Sequence, residues 1–282
     1  MHNIKIKFYG TRGSIPISGS QFNEYGGNTT CVLVEADDQI CIIDAGTGIR
    51  NLGNDLLQRE FAGQGGFARI FFTHTHWDHI QGFPFFIPLY IPGNHFEIYG
   101  QTKTVQEKVW DIETSLIGQT NYMYFPINLK DMASKKTFKD ISPGQTLQFG
   151  ELKISTIALT HPNVTLGFRF DCGKNSFVFC TDVEHNDQLI RDLAEFSRNA
   201  DVLAYDCQYT PEEYENGKQG WGHSTFEKAI EICKLGSVKK LSMIHHDPAH
   251  DDKAIRNIES RARTLFPAAT AVKEGDTITL TS

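Results

Sequence analysis

The chain has 282 residues, 40% of them hydrophobic, and a formal net charge of −7 at pH 7. That length and apolar content are enough for a sizeable buried core. The acidic balance argues against a broad electrostatic surface for a nucleic-acid polymer, apart from a local basic patch, and favours a small or compact substrate. No stretch approaches the roughly 18 apolar residues of a membrane span. The first ten residues, MHNIKIKFYG, are typical of a half-buried strand and not of a signal peptide.

The cysteines are scattered, without a CxxC pair or the density of a small disulfide-rich scaffold. This distribution predicts reduced, mostly buried thiols in a cytoplasmic protein. They are Cys31, Cys41, Cys172, Cys180, Cys207 and Cys233.

The first third of the chain predicts strands, in the segments KIKFYG, TTCVLVE, QICIIDAG and RIFFTH. The second and third are joined across Ala36-Asp37-Asp38, a short polar turn of the hairpin type. A helix is predicted from Ile49 to Glu60, before the glycines at 63–66.

The middle of the chain predicts a strand at FEIYG and then a helix over TVQEKVWDIETSLI, where Val105, Val109 or Trp110, Ile112 and Leu116 recur at helical spacing. Short strands follow at QTLQF, LKISTIALTH, TLGFRF and NSFVFCTD, the last two linked by residues 171–174. Helices and strands alternate in the final third, and no low-complexity linker divides the chain. We therefore expect one α/β (α+β) domain over residues 1–282, built from two βα halves.

The segment THTHWDH carries the strongest chemical signal. His74 and His76 follow an apolar run and are two residues apart, so they are expected on one face, while Asp78 and His79 come from the next turn. Imidazole and carboxylate ligands suit zinc, manganese or iron, and the absence of cysteine argues against a thiolate-rich structural zinc site. A lone histidine would more often be structural, but this cluster predicts a metal site.

Three further candidates stand where predicted strands end. His161 closes KISTIALTH, Asp182 closes SFVFCTD, and His245 closes KLSMIHH. Each alone has an ordinary structural explanation, since histidine and aspartate are common in turns. Because α/β sheets place ligands where strands end, the repetition suggests that these residues meet in space.

Together these motifs resemble the metallo-β-lactamase superfamily along almost the whole chain, including IIDAGTG. The resemblance implies a four-layer αββα sandwich with two adjacent divalent metal ions, most simply zinc. It implies that His74, His76 and His161 bind one ion, that Asp78, His79 and His245 bind the other, and that Asp182 bridges both. His246 directly follows His245, and we favour His245 from its place after the apolar run.

The block GWGHSTFEKAIEICK points to the bond that is cut. Ser224-Thr225-Phe226-Glu227 is a capping-box pattern, which predicts that Ser224 caps a helix with His223 just before it. Helix N-termini favour anions such as phosphate, and His223 there can protonate a leaving alkoxide.

GHST also resembles the helper motif of the ribonuclease Z-like phosphodiesterase branch, in which an acidic residue orients the histidine. Asp206 is the matching position here, where the branch often has glutamate. We count His223, Asp206 and Asp78 as the catalytic residues. Asp182, where true β-lactamases typically have cysteine, disfavours β-lactam hydrolysis.

Only twenty residues separate His161 from Asp182, and the predicted hairpin occupies them. The tRNA-gripping arm that the common form of ribonuclease Z carries there does not fit. The sequence therefore predicts a phosphodiesterase for small diesters, with cyclic nucleotides as leading candidates, and the resemblance implies a homodimer.

The alternatives are a tRNA 3′-end endonuclease and a noncatalytic nucleotide or metal sensor on the same fold. The apolar segments FPFFIPLYIP and NYMYFP are open between a base-binding pocket and a core or dimer contact.

Overall fold

Two seven-stranded sheets stack face to face in the computed structural model, which describes residues 3–281. The strands are β1 (Ile4–Gly10), β2 (Cys31–Ala36), β3 (Gln39–Ile43), β4 (Phe67–Phe71), β5 (His95–Gly100), β6 (Lys103–Val105), β7 (Lys108–Trp110), β8 (Lys135–Asp140), β9 (Thr146–Phe149), β10 (Leu152–Leu159), β11 (Thr165–Cys172), β12 (Asn175–Cys180), β13 (Val202–Asp206), β14 (Lys240–Ile244), β15 (Ala269–Ala271) and β16 (Thr277–Leu280). The helices are α1 (Ile49–Leu56), α2 (Trp77–Ile80), α3 (Ile112–Gln119), α4 (Asp187–Phe196), α5 (Pro211–Glu213), α6 (Phe226–Gly236) and α7 (Asp252–Leu265).

The first sheet has the strand order β16-β1-β2-β3-β4-β5-β8, and the second has β15-β14-β13-β12-β11-β10-β9. Their facing sides form a buried apolar layer, in which the ring of Phe71 from β4 meets Phe168 from β11 edge-on at 5.8 Å between centroids. Strand β12 is buried along its whole length, and its successive side chains point to opposite faces of the sheet. Phe177 and Phe179 face the other sheet, and Val178 faces the helices.

Helices cover both outer faces. Leu52 of α1 and Leu116 of α3 pack on the first sheet, while α4, α6 and α7 pack on the second through residues such as Leu193 and Ile230. Because each sheet buries one face against its partner and the other against helices, the order of layers is αββα. The predicted fold class is confirmed.

The strand ends lie at a common edge of the sandwich. Strands β3, β4 and β5 are parallel, as are β12, β13 and β14, and β10 runs in the same direction because β11 is antiparallel to both β10 and β12. The segments that leave β3, β4, β10, β12, β13 and β14 therefore emerge together. This edge holds the candidate site.

Several local predictions are confirmed. The β2–β3 hairpin turns at Asp37 and Asp38, both with positive φ (47° and 60°), as a two-residue turn requires. The six cysteines are buried and unpaired. No helix within residues 3–281 is long and apolar enough to cross a membrane.

The helix predicted over residues 104–117 is wrong in its first half. Residues 103–110 form the β6–β7 hairpin, and a shorter helix, α3, follows after Asp111, whose side chain accepts a hydrogen bond from the N–H of Thr114. Gln106 and Glu107 turn the hairpin with φ of 50° and 63°. The apolar residues at 105 and 109 matched a helical period, but both are exposed and face no core.

Smaller differences concern element ends. The helix predicted to Glu60 stops at Leu56 and is followed by a 3-10 turn, Glu60–Ala62. Strand β11 runs through Cys172, so the turn is limited to residues 173 and 174. The strand predicted to reach the histidines ends at Phe71.

Candidate metal centre

Three histidines form one half of the candidate centre, and we call them the three-histidine group: His74, His76 and His161. His74 and His76 lie on the loop after β4, and His161 follows β10. One ring nitrogen of each lies within 4.8 Å of the others, and His161 Nε2 is 3.1 Å from His76 Nδ1. Although the first two are not on a strand, the loop still turns both rings inward, with centroids 4.4 Å apart.

The other half, the mixed group, comprises Asp78, His79 and His245. Asp78 and His79 lie on α2, and His245 follows β14. Asp78 Oδ2 is 3.2 Å from His79 Nε2 and 3.3 Å from His245 Nε2. His246 does not join them, because its Nε2 bonds to the carbonyl of Val272 at 3.0 Å.

Asp182, just after β12, lies between the two groups. Its Oδ1 is 3.8 Å from His74 Nε2 and also 3.8 Å from His161 Nε2. Its Oδ2 is 3.1 Å from His79 Nε2 and 3.3 Å from His245 Nε2. One carboxylate oxygen thus serves each group, which is the arrangement that a bridging ligand needs.

Four of the histidines are oriented by bonds on the outer side of the ring. In each, Nδ1 meets an oxygen of a neighbouring residue and Nε2 is left to face the centre. The pairs are His74 with Thr73 Oγ1 (3.1 Å), His79 with Asp44 Oδ2 (2.8 Å), His161 with the carbonyl of Gly222 (2.8 Å) and His245 with Gln208 Oε1 (2.9 Å).

The electrostatics of the two halves differ. Burial lowers the pKa of every member of the three-histidine group, which keeps these rings neutral. Burial also acts on His79 and His245, but the Asp78 and Asp182 carboxylates outweigh it, raising the pKa of His79 well above its ordinary value and that of His245 to about 9. The same pairings overcome burial at the two aspartates and hold their pKa values well below the usual range.

The backbone is strained where it delivers these side chains. Asp44, Asp182 and His245 follow strands and have φ of 59°, 55° and 62°, and Ser14, whose N–H donates to Asp78 Oδ2 at 2.7 Å, has φ of 63°. Non-glycine residues rarely adopt this left-handed conformation, and such strain concentrates at functional sites.

The donor set fits a pair of divalent ions. Nε2 of His74 is buried and has no hydrogen-bond partner among the described residues. A buried nitrogen without a partner costs about 1–3 kcal/mol, which a metal ion at that position would offset. Neutral imidazoles and ionised carboxylates without thiolates suit zinc, manganese or iron.

His223 lies beside this cluster. It precedes α6, and its Nδ1 is 2.8 Å from Asp206 Oδ2, a fully buried carboxylate at the end of β13. Its ring also lines an open cleft of about 430 Å³ that contains Asp78 and Asp182. Since Nδ1 is engaged by Asp206, Nε2 is the nitrogen available to a ligand in the cleft.

A family model described as a beta-lactamase superfamily domain matches residues 41–246, which include every predicted metal ligand. The chain belongs to this superfamily. Ribonuclease Z of Pyrococcus horikoshii is 24% identical over 320 residues, covering 98% of this chain and 96% of that protein.

Among solved structures, the metallo-beta-lactamase fold protein YhfI from Bacillus subtilis has a TM-score of 0.74 at 18% identity and covers 99% of this chain and 100% of its own. A diphosphatase from the PhnP family has a TM-score of 0.66 at 17% identity, with coverage of 99% and 98%. The family match makes the protein a metal-dependent hydrolase of this superfamily, and it is similar to ribonuclease Z.

Sequence reasoning missed the residues that orient the ligands. Asp44 had a usable signal, because IIDAG repeats the pattern of an apolar strand that ends in aspartate. Gln208 and the carbonyl of Gly222 gave no such signal, since their role depends on contacts 37 and 61 residues away. The cap of α6 is Thr225, which accepts from the N–H of Lys228, and not Ser224.

Half of the residues in FPFFIPLYIP are buried. Phe83, Phe86 and Leu89 are fully buried beneath the first sheet, while Phe85 and Ile87 are exposed. From NYMYFP, only Tyr124 lines a cavity near the centre.

Proposed function

We propose that this superfamily member is a dinuclear metal phosphodiesterase that acts on small phosphodiesters, with cyclic nucleotides as the leading substrates. In this proposal the three-histidine group binds one ion, the mixed group binds the other, and Asp182 is shared. Zinc is the proposed metal. Such a pair supplies Lewis acidity and a nucleophile at neutral pH.

His223 and its partner Asp206 carry the proposal. The buried carboxylate holds Nδ1 of the imidazole, so that Nε2 can donate a proton to a leaving alkoxide in the cleft. Asp206 fixes the tautomer and ring orientation and stabilises the protonated ring. A noncatalytic sensor would have no use for this pair.

The size of the chain supports a small substrate. Its alignment with ribonuclease Z runs over 320 positions, 38 more than the 282 residues here, so the relative carries segments that this chain lacks. Residues 162–181, between His161 and Asp182, contain only a short loop and the strands β11 and β12. No arm for tRNA extends from this segment.

The second candidate is a tRNA 3′-end endonuclease, favoured by the relatives that bear the name ribonuclease Z. Metal analysis followed by a substrate panel separates the candidates. The panel comprises cyclic mononucleotides, an aryl phosphodiester, a thioester and precursor tRNA. We expect about two metal ions per chain and turnover of the small diesters. Preferred cleavage of precursor tRNA would support the second candidate, and tight nucleotide binding without turnover would indicate a sensor.

We also propose that residues 1–282 act as one domain, because the candidate ligands come from segments attached to both sheets; residues 1, 2 and 282 of that range lie outside the described residues. Homodimer formation remains a prediction. It is supported by the exposed apolar side chains of Tyr122, Met123 and Tyr124. Light scattering on the purified protein tests it.

A further inference from the structure

A second cavity, which we call the hairpin chamber, opens beside the metal cleft. It has a volume of about 610 Å³, within the range of small-molecule sites, and shares Thr75 and Trp77 with the cleft. The β6–β7 hairpin and α3 form much of its wall. A substrate whose phosphodiester lies in the cleft can therefore extend into the chamber.

The chamber suits an anionic ligand. Lys103 and Lys108 line it, and none of the described lining residues is an aspartate or a glutamate. Lys103 Nζ donates to the Asn163 side-chain oxygen at 2.8 Å and to the Val164 carbonyl at 2.6 Å. These bonds join the hairpin to the loop after His161, which fixes the chamber relative to the candidate metal centre.

The walls present aromatic faces. Trp77 and Trp110 line the chamber together with Tyr124, and all three are at least 40% exposed. Aromatic side chains have few rotatable bonds, and a planar ring stacks on them with little loss of side-chain entropy. An exposed aromatic wall next to a phosphodiester site is suited to a nucleobase.

Two amide oxygens in the wall lack partners. Gln101 Oε1 and Gln119 Oε1 are buried without a hydrogen bond within residues 3–281. The Gln119 amide is held by its Nε2, which donates to the Ile80 carbonyl at 2.7 Å. A buried acceptor without a donor is costly, so a ligand N–H group near these oxygens would be favoured.

We propose that the hairpin chamber binds the nucleobase of the substrate and prefers a base with an exocyclic amino group. This inference rests on the proposed phosphodiesterase function and specifies its substrate class. The aromatic residues supply stacking, the lysines supply positive charge, and the glutamine oxygens accept from the amino group.

Equilibrium binding to the zinc-loaded full chain tests the proposal. The ligands are adenosine 5′-monophosphate, its analogue without the 6-amino group, and ribose 5-phosphate. We expect the nucleotide to bind about 5- to 150-fold more tightly than ribose 5-phosphate, the range of one base–aromatic stack. Loss of the amino group should weaken binding about 2- to 10-fold.

The variants are Trp110→Ala and Gln101→Leu, with Val109→Ala as the matched control. Val109 lies on the same hairpin and is 65% exposed, but it does not line the chamber. Trp110→Ala should remove most of the preference over ribose 5-phosphate, and Gln101→Leu should reduce the preference for the amino group. The control should keep both. Equal binding of all three ligands to the parent, or unchanged preferences in both variants, would overturn the proposal.

Hydrolysis of ethyl p-nitrophenyl phosphate, which carries no base, separates the two proposals. Cleavage of this diester without any base preference would overturn the chamber proposal alone. A base preference without cleavage of any diester would overturn the proposed function alone.

Discussion

Replacement of His223 by alanine tests the assignment of the general acid. The histidine lies in the cleft with Nδ1 bonded to Asp206 at 2.8 Å, and a positioned acid contributes about 10²- to 10⁴-fold to a rate. We therefore expect His223→Ala to lower kcat/KM by at least about 10²-fold, or roughly 2.7 kcal/mol, for a diester with an alkoxide leaving group. A p-nitrophenolate leaves without protonation, so its release should be far less affected.

The assay pairs steady-state kinetics on both diesters with metal analysis of each variant. Asp206→Asn should show the same dependence on the leaving group, because the ring loses its anionic partner. His185→Ala is the matched control: its Nδ1 meets the Ser224 hydroxyl at 2.9 Å, next to His223 but outside both cavities, and both rates should stay close to the parent's.

Loss of metal from His223→Ala would refute the reasoning. His223 Nδ1 is 4.0 Å from Asp182 Oδ1, so depletion would show that the histidine acts as a ligand. Equal rate losses for the two leaving groups would also refute it, since a general acid matters only where the leaving oxygen needs a proton.

Three further predictions concern metal binding. Asp44→Asn weakens the bond that orients His79, and we expect metal affinity to fall about 10- to 100-fold, measured by competition with a chelator. Gly222→Ala places a Cβ 2.3 Å from a ring nitrogen of the three-histidine group and should lose metal, whereas Gly220→Ala, with a similar φ but open space around it, should retain it. The raised pKa values of His79 and His245 favour the protonated form of both rings at neutral pH in the metal-free protein. Metal binding should therefore release about one proton from each ring, seen by calorimetry in buffers of different ionisation enthalpy. The proton that His245 releases on metal binding should no longer be observed once the pH has risen through about 9, because the metal-free ring is then already neutral.

The sign of the pH effect on stability follows from the same shifts. A histidine whose folded pKa is raised stabilises the metal-free protein fully below its unfolded pKa of about 6.5, and that stabilisation is lost as the pH rises through the folded value. For His245 the loss begins near pH 6.5 and is nearly complete at about pH 9. Proton release on metal binding that does not change between pH 7 and 10 would contradict the raised pKa of His245. Equal metal retention by Gly222→Ala and Gly220→Ala would contradict the predicted clash of a Cβ at position 222 with His161.

The candidate metal ligands could be located from the sequence because strand ends in this fold carry a local signature, an apolar run that stops at histidine or aspartate. His161, Asp182 and His245 share it, and so does Asp44, although its contact is with a ligand histidine. The pattern identifies such positions without needing the partners in space.

The hairpin at residues 103–110 could not be predicted in this way. Its apolar residues match a helical period, and its turn at Gln106 and Glu107 contains no glycine or asparagine to indicate positive φ. The hydrogen bonds that orient His161 and His245 also could not be predicted. Their acceptors, the Gly222 carbonyl and Gln208 Oε1, lie on loops that meet the histidines only after the sheets have packed.

The β6–β7 hairpin has a consequence for how the protein can change. The candidate metal ligands lie on loops from both sheets, whereas the hairpin and α3 belong to one insertion between β5 and β8. Most of the proposed recognition surface therefore lies on a stretch of chain separate from the candidate ligands, and Trp77 is the chamber's aromatic residue from the ligand segment. The exposed residues of the hairpin can diverge, or be exchanged in the laboratory, while the strand ends and the buried side of α3 stay as they are. If the chamber binds the base as proposed, substitutions in the hairpin can change which substrate is preferred without altering the candidate metal ligands.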